Sequence, residues 1–324
     1  MTLLKDLYNA VTKINQERPP AVNQGAGLFN SGGFAGANLV QQMATYNSVS
    51  WVFAAVSRIA EAVAESEWKL YRGPGRANEV TSHPALTLWE SMNPFDTRQE
   101  FLEMSQQHYE LTGESWWVLV RNGRGVPVEM WAVRPDRMIP IRDHDEYILG
   151  YQYTVGAERI MYDREDVIFI RHPSPLDPYR GLGPIASLIL DLGSEVEAAN
   201  FNRAFFRNDA TPGGVIESDR SMSNAAFDKM VERFRQMHQG TANAGRLGFL
   251  ERAKFVERKY TQRDMQYTQL RQQTRDLVLA AYGVPLPMLG VMEAPSRANA
   301  QAAEFIFARW TIRPRLTRIR RSLN

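Results

Sequence analysis

SWWVLVRNGRGVPVEMWAV, residues 115–133, sets the fold class of the first half of the chain. Two runs rich in β-branched and aromatic residues flank NGRG, a segment typical of a tight turn, and this pattern predicts an antiparallel hairpin. Four further short runs (RMIPIR, ILGYQYTV, RIMY and DVIFIRH) continue the pattern to residue 172, separated by Gly, Pro and Asp. We therefore expect a region of antiparallel strands.

Two helices are predicted before these strands. Apolar residues recur at helical spacing over 49–63, and RGPGR at 72–76 marks the latest point at which that helix can end. Thr97 followed by Glu100 matches a capping box, and the helix that it opens should run to Gly113. The two helices and the strands together predict one α+β unit.

Downstream of the strands the sequence predicts mostly helix. Apolar helical spacing resumes after Pro184, and short strand-like stretches such as VIES and KFVERKY surround a further helix. The helix predicted at 262–283 is polar in its first half, so it must either bridge solvent or pack against copies of itself. A Gly- and Pro-rich loop at 284–297 leads to a last helix from about Ala298, kinked at Pro314.

Composition excludes several classes of protein. The chain has 324 residues, 44% hydrophobic and 23% charged, which is typical of a folded globular protein. It has no cysteine, so disulfides, thiolate nucleophiles and cysteine zinc sites are excluded. No apolar run approaches the ~18 residues that cross a bilayer, and the N-terminus lacks the pattern of a signal peptide. We expect a soluble protein that is not exported, with a flexible Gly-rich arm over 1–44.

Motifs for catalysis or nucleotide binding are scarce. The five histidines are scattered, and the sequence contains no HExxH, P-loop or GxSxG motif. GLG at 181–183 lacks the third glycine of a dinucleotide-binding turn, so a helix start is favoured. DHDE at 143–146 and DRED at 163–166 could hold a cation, but turns favour Asp for its backbone hydrogen bonds. We expect no catalytic residue, no metal and no cofactor.

Aromatic and basic clusters leave more than one interpretation open. Trp116, Trp117 and Trp131 could stack on bases, although alternation along strands favours core packing. Met288 and Met292 lie on a loop without a core of its own, so they need a partner surface. The stretch after Glu304 holds no acid, and its basic run fits phosphate, an acidic partner or a solvated helix face. Its six arginines are Arg309, Arg313, Arg315, Arg318, Arg320 and Arg321.

Eight short motifs, in order over nearly the whole chain after residue 45, resemble the HK97-type phage portal proteins. Each motif is weak alone, but their order and spacing make the resemblance specific to the family. The motifs are NPFDTRQEFLE (93–103), LTGESWWVLVRN (111–122), EMWAVRPDRM (129–138), YRGLGPI (179–185), FFRNDATPGGVI (205–216), QRDMQYTQLR (262–271), YGVPLPMLG (282–290) and RAN (297–299).

The resemblance implies an α+β portal fold assembled as a twelve-subunit ring around a channel. It implies no enzymatic activity. Family members usually continue with more wing sequence and a crown, so here the crown is either absent or truncated. The implied parts are an arm at 1–44, an α+β wing of antiparallel strands at 45–180, stem helices at 181–209 and 261–283, a small α/β clip at 210–260, a tunnel loop at 284–297 and a C-terminal wing helix at 298–324.

The resemblance also implies sites and partners. The tunnel loop would bring Leu289, Val291, Met292, Glu293, Ser296 and Arg297 to the DNA channel. The arginine-rich helix could contact DNA through Arg315, Arg318, Arg320 and Arg321. The clip would meet the large terminase and the head-tail adaptor through Glu217, Asp219, Arg220, Arg246, Glu251 and Arg252.

Other implied partners are non-specific double-stranded DNA, the major capsid or scaffold protein and further copies of the chain, but no membrane. The expected location is the portal vertex of the virion, after assembly in the host cytoplasm. Two rival functions stay open at this point. One is a sequence-independent DNA-binding protein that acts as a monomer or dimer through its arginines. The other is a Mg²⁺-dependent hydrolase or nuclease that uses Asp143 or Asp166.

Overall fold

The computed structural model describes the chain in two compact units. The first unit comprises residues up to Ile189 together with Asp276–Asn324, and the second comprises Leu190–Arg275. The described residues are 39–73, 76–142, 147–207, 215–218, 223, 225, 227–229, 232, 253–256, 263–291 and 296–324.

Among the residues that the structure describes, four helices and one small hairpin open the first unit. The predicted helix over 49–63 is confirmed as α2, and α1 begins at Leu39, inside the range predicted as an arm. The hairpin was not predicted, because its strands have only two residues each. The elements are α1 (Leu39–Ser48), α2 (Ser50–Ala64), β1 (Leu70–Tyr71), β2 (Glu79–Val80), α3 (Pro84–Glu90) and α4 (Arg98–Thr112).

Helix α4 begins and ends where its sequence signals indicate. The Thr97 hydroxyl accepts from the Glu100 backbone N–H at 3.2 Å, and the Glu100 carboxylate accepts from the Thr97 N–H at 2.9 Å. This capping box satisfies backbone groups that the first turn leaves unpaired. Gly113 ends the helix with φ +80°, a conformation that favours glycine. The predicted boundaries of α4 are therefore confirmed.

Six strands follow and form two antiparallel three-stranded sheets. The predicted strands are all confirmed, and the α+β character of the region with them. The strand orders are β4-β3-β8 and β5-β6-β7. The strands are β3 (Glu114–Arg121), β4 (Pro127–Val133), β5 (Met138–Arg142), β6 (Ile148–Val155), β7 (Glu158–Asp163) and β8 (Val167–Arg171).

The core of the first unit lies between the sheets and helices α2 and α4. Trp116 and Trp117 on β3 are fully buried. The Trp116 ring stacks on Phe169 of β8, with ring centroids 3.6 Å apart. Trp117 meets Phe101 of α4 edge to face at 5.2 Å. These two tryptophans are therefore core residues and do not form a base-stacking platform.

The described C-terminal part of the first unit is mostly helical, and an irregular turn separates its last two helices. Pro314 lacks an N–H, so it cannot donate to the carbonyl one turn earlier, and the irregular turn lies immediately before it. The predicted disturbance at Pro314 thus takes the form of a π-helical turn. The elements are α6 (Arg263–Tyr282, its last residues in this unit), a 3₁₀ turn (Leu286–Leu289), α7 (Arg297–Ile306), the π turn (Phe307–Ile312) and α8 (Arg313–Leu323).

The second unit contains most of α5 (Ile185–Arg207), the strands β9 (Val215–Ser218) and β10 (Ala253–Val256), and the first part of α6. β9 and β10 pair antiparallel, which confirms the two strand-like stretches there. The buried Glu195 of α5 lies 3.7 Å from the Arg271 guanidinium of α6. In neither unit do the described helices include one with the length and apolar character that crossing a bilayer requires.

Candidate channel loop and its anchor

The chain turns sharply where α6 gives way to the predicted channel loop at 284–297. Gly283 has φ +69°, a left-handed conformation that favours glycine. The Val284 N–H donates to the Leu279 carbonyl at 3.0 Å, which closes the end of the helix. Tyr282 and Val284 on either side are buried. The start of the loop is therefore fixed in the first unit.

A buried network, the anchor network, joins this turn to helices α4 and α8. It consists of Glu110, Tyr282, Thr311 and Arg315, with the backbone of Gly283. The Arg315 guanidinium donates to Glu110 at 2.9 Å and to the Tyr282 carbonyl at 3.3 Å. The Tyr282 hydroxyl donates to the Glu110 backbone carbonyl at 3.1 Å, and Thr311 donates to the Gly283 carbonyl.

Burial and charge fix the protonation of the groups around the anchor network. Burial opposes the charge of Arg315, but the Glu110 carboxylate outweighs it and raises the Arg315 pKa. Burial raises the pKa of Tyr282 well above its ordinary value and that of Tyr109 to about 12. A charged Arg315 between neutral phenols holds structure together and offers no general base near neutral pH.

Four of the six predicted channel residues are described: Leu289 and Val291 before residues 292–295, and Ser296 and Arg297 after them. Leu289 is half-buried at the end of the 3₁₀ turn, and Gly290 with φ +77° reverses the chain after it. Val291 is 38% exposed. Ser296 and Arg297 are exposed at the start of α7. Met292 and Glu293 lie outside the described residues.

The four arginines predicted to contact DNA divide into two pairs. Arg315 belongs to the anchor network, and Arg318 donates to the Arg171 carbonyl at 2.9 Å while its guanidinium lies 5.8 Å from the Tyr109 ring. Arg320 and Arg321 are exposed. Sequence reasoning missed the internal role of Arg315 because its partner Glu110 is distant in the chain.

Only one of the predicted clip contacts falls in the described part of the chain. Glu217 lies on β9, opposite Lys254 on β10. The remaining contacts predicted for the terminase or adaptor lie outside the described residues: Asp219, Arg220, Arg246, Glu251 and Arg252.

The motif YRGLGPI has a structural explanation in the first unit. The Glu114 carboxylate is fully buried and accepts from the Gly181 N–H at 2.6 Å and from Arg180 at 2.9 Å. Burial raises the Glu114 pKa, although the nearby Arg180 charge opposes the shift. Gly181 and Gly183 approach the backbone around Gly113 so closely that a side chain at either would collide with it. The glycines therefore serve close packing.

The acidic residues of the nuclease hypothesis show no arrangement for a metal where they are described. Asp166 accepts from the Arg121 guanidinium at 2.6 Å and is buried. Asp143 lies outside the described residues. Within the described ranges, no three His, Asp or Glu side chains come close enough to hold a metal ion.

A comparison of sequences relates this chain to phage proteins. A family model described as phage portal protein matches residues 50–324. A probable portal protein of Streptomyces phage phiC31 is 22% identical over 314 residues, which span 92% of this chain and 67% of that relative.

Solved structures extend the comparison. A chain from the neck of an empty gene transfer agent particle, computed with C6 symmetry, has a TM-score of 0.69 at 26% identity, covering 88% of this chain and 80% of that chain. The native particle's neck, computed with C12 symmetry, gives 0.66 at 26% identity over 88% and 79%. An HK97 family portal protein from Corynebacterium diphtheriae gives 0.50 at 14% identity over 79% and 80%, which supports the fold alone.

Proposed function

The chain belongs to the phage portal protein family, and on this premise we propose that twelve copies form a ring at one capsid vertex. In this proposal the ring is the passage for double-stranded DNA during packaging and ejection. It docks the large terminase first and a head-tail adaptor afterwards, and it contacts the major capsid or scaffold protein. It assembles in the host cytoplasm, and its role is structural.

The observation that carries the proposal is the way the loop at 284–297 is held. Its start is fixed by the buried anchor network, while Val291, Ser296 and Arg297, on either side of residues 292–295, are exposed. A segment with a rigid start and exposed side chains further along is suited to touch a moving cargo without unfolding. The mixed character of these side chains suits DNA of any sequence, because no set of base-reading groups is needed.

The polar first half of α6 supports assembly from copies. Gln269, Gln272 and Gln273 are exposed on this helix. A helix with such a face is stable when it bridges solvent or when neighbouring copies supply partners. In a closed ring, one repeated contact supplies such a partner to the helix of every subunit.

Photo-crosslinking during packaging tests the channel assignment. A photoreactive residue at Val291 should crosslink to packaged DNA, because the proposal places this part of the loop in the channel. The control site is Leu176, which is 87% exposed on a different loop and should give no DNA adduct. The assignment is contradicted if rings form and neither site crosslinks to DNA, or if both sites crosslink equally. Either result would mean that the loop at 284–297 does not contact DNA in the channel.

The proposed contact of the arginine-rich helix with DNA now rests on Arg320, because Arg315 and Arg318 are engaged inside the unit and Arg321 lines a groove with Arg309 and Arg313. Replacing Arg320 with Ala should lower packaged genome length or retention. Unchanged packaging would remove this part of the proposal.

The proposed clip contacts have a separate test, because they concern the terminase and the adaptor. Charge reversal at Glu217, Asp219, Arg220, Arg246, Glu251 and Arg252 should weaken terminase binding in a pull-down and leave ring size unchanged. A terminase that binds the reversed variant as well as the original would exclude these residues.

A further inference from the structure

A basic groove runs along the C-terminal helices of the first unit. It has a volume of about 600 Å³ and lies between the end of β8 and the π turn with α8. Its main lining residues are Arg171, Arg309, Trp310, Arg313, Thr317 and Arg321. We call this surface the arginine groove.

The arginine groove presents positive charge that the described residues do not neutralise. Arg309, Arg313 and Arg321 are exposed, and none of them forms an ion pair with a described acid. The Arg309 guanidinium lies 5.6 Å from the centroids of both the Phe305 and Trp310 rings. Such contacts orient the guanidinium and leave its charge available to a ligand.

Apolar surface lies directly beside these charges. Trp310 is 68% exposed, Phe305 59% and Ile306 47%. Arginine and tryptophan together are the residue types most enriched where proteins bind proteins tightly. Phosphate contacts need only the cations, so the exposed apolar residues favour a protein occupant over nucleic acid.

The density of arginine also argues against a DNA channel contact at this groove. Each phosphate that a cation neutralises steepens the salt dependence and strengthens binding to DNA. Several free arginines repeated in every subunit would hold the duplex in place, whereas a translocation channel must let it slide. Tight binding to an acidic protein surface causes no such conflict, because a contact between subunits must stay formed.

We propose that the arginine groove is an assembly socket that takes an acidic surface of a second copy of this chain. The inference rests on the proposed ring, which places copies side by side. Charge complementarity supports it: residues 305–324 hold six arginines and no acid, while residues 1–304 hold 32 basic and 36 acidic residues. The Trp310 side chain supplies the apolar contact, and the guanidiniums supply paired hydrogen bonds to carboxylates.

Charge reversal on the full-length protein tests the socket. The variant Arg309→Glu with Arg313→Glu should raise the concentration for half-assembly, measured by light scattering, on the order of tenfold or more, because like charges would face each other. The matched control, Arg124→Glu with Arg159→Glu, makes the same charge change at exposed positions outside the groove and should assemble as the original protein does. Circular dichroism on each variant checks that the fold is kept.

The second measurement identifies the occupant. A photoreactive residue at Trp310 in assembled protein should crosslink to peptides of another copy that contain Asp or Glu. Crosslinks to DNA, or normal assembly of the Arg309 and Arg313 variant, would contradict the proposed assembly socket but not the proposed ring. An original protein that stays monomeric at every concentration would overturn the ring and the socket together.

Discussion

Gly181 illustrates how a single residue position is fixed by backbone packing. A Cβ at this position would collide with the Gly113 carbonyl oxygen, and the Glu114 carboxylate accepts from its N–H on the same side. Because the nearest colliding atom is a backbone oxygen, it cannot rotate away. The glycines of the GLG turn are therefore required for packing and need no phosphate ligand to explain them.

Substitution of Gly181 by Ala should destabilise the first unit by about 3 kcal/mol, the upper end of overpacking costs. Urea unfolding followed by tryptophan fluorescence measures this, since Trp116 donates to the same Glu114 carboxylate. Gly193→Ala is the control: Gly193 lies in α5 facing open space, so the change should be neutral or stabilising by up to about 1 kcal/mol. Equal stability of the Gly181 variant would refute the packing argument.

His108 on α4 should make stability depend on pH. Burial, assisted by the Arg134 charge, lowers its pKa from 6.5 to about 4. Between pH 6.5 and about 4, His108 is protonated in the unfolded chain but neutral in the folded chain. The free energy of unfolding therefore keeps its full value above pH 6.5 and decreases as the pH falls to 4. Thermal melts from pH 7.5 to 4 should show a smaller loss for His108→Gln than for the original protein. Parallel curves would mean that His108 is not the titrating group.

Residue roles were predictable where the partner is close in sequence. Thr97 and Glu100 are three positions apart, so the local sequence predicts their capping box, and the structure confirms it. Glu110 and Arg315 are 205 positions apart, and no local pattern joins them. Arg315 was therefore predicted to contact DNA, whereas in the structure its guanidinium binds Glu110 inside the first unit.

The anchor network shows how elements depend on one buried charge pair. Arg315 on α8 reaches Glu110 on α4, and both contact the end of α6 through Tyr282. A buried pair contributes little net free energy when intact, but it is costly to break because the remaining charge has no water. The pair therefore acts chiefly to fix where the loop at 284–297 begins.

Arg315→Met should cost about 3–5 kcal/mol, because it leaves the Glu110 carboxylate buried without its cation. The double variant with Glu110→Gln should be less destabilised than Arg315→Met alone, since no uncompensated charge remains. Denaturant unfolding of the two single variants and the double variant measures the coupling. Strictly additive losses would show that the two side chains do not act as a pair.

At the scale of elements, periodicity and turn residues predicted most of the first unit. The six strands of the sheets carry alternation or apolar runs bounded by turn residues, and the structure confirms them. The hairpin of β1 and β2 has too few residues for any period, and the N-terminal part of α1 was taken for arm. The π turn at 307–312 follows from Pro314, whose effect on the preceding turn depends on packing that the sequence does not specify.

At the scale of the whole molecule, the order of eight motifs was more informative than composition. Net charge and the absence of catalytic motifs fit many structural proteins, whereas the motif order resembled one family, and that resemblance is confirmed. The contacts that would close a ring could not be predicted, because they join copies and leave no period or cap in a single chain. The arginine groove is proposed as one such surface.

The most direct test of the account is electron cryo-microscopy of the purified full-length assembly. The account predicts a closed ring with rotational symmetry, residues 284–297 lining its channel, and an opening wider than a duplex of about 20 Å, whose major groove alone is about 12 Å wide. A stable 36.9 kDa monomer, or a ring with this loop on its outer surface, would contradict it.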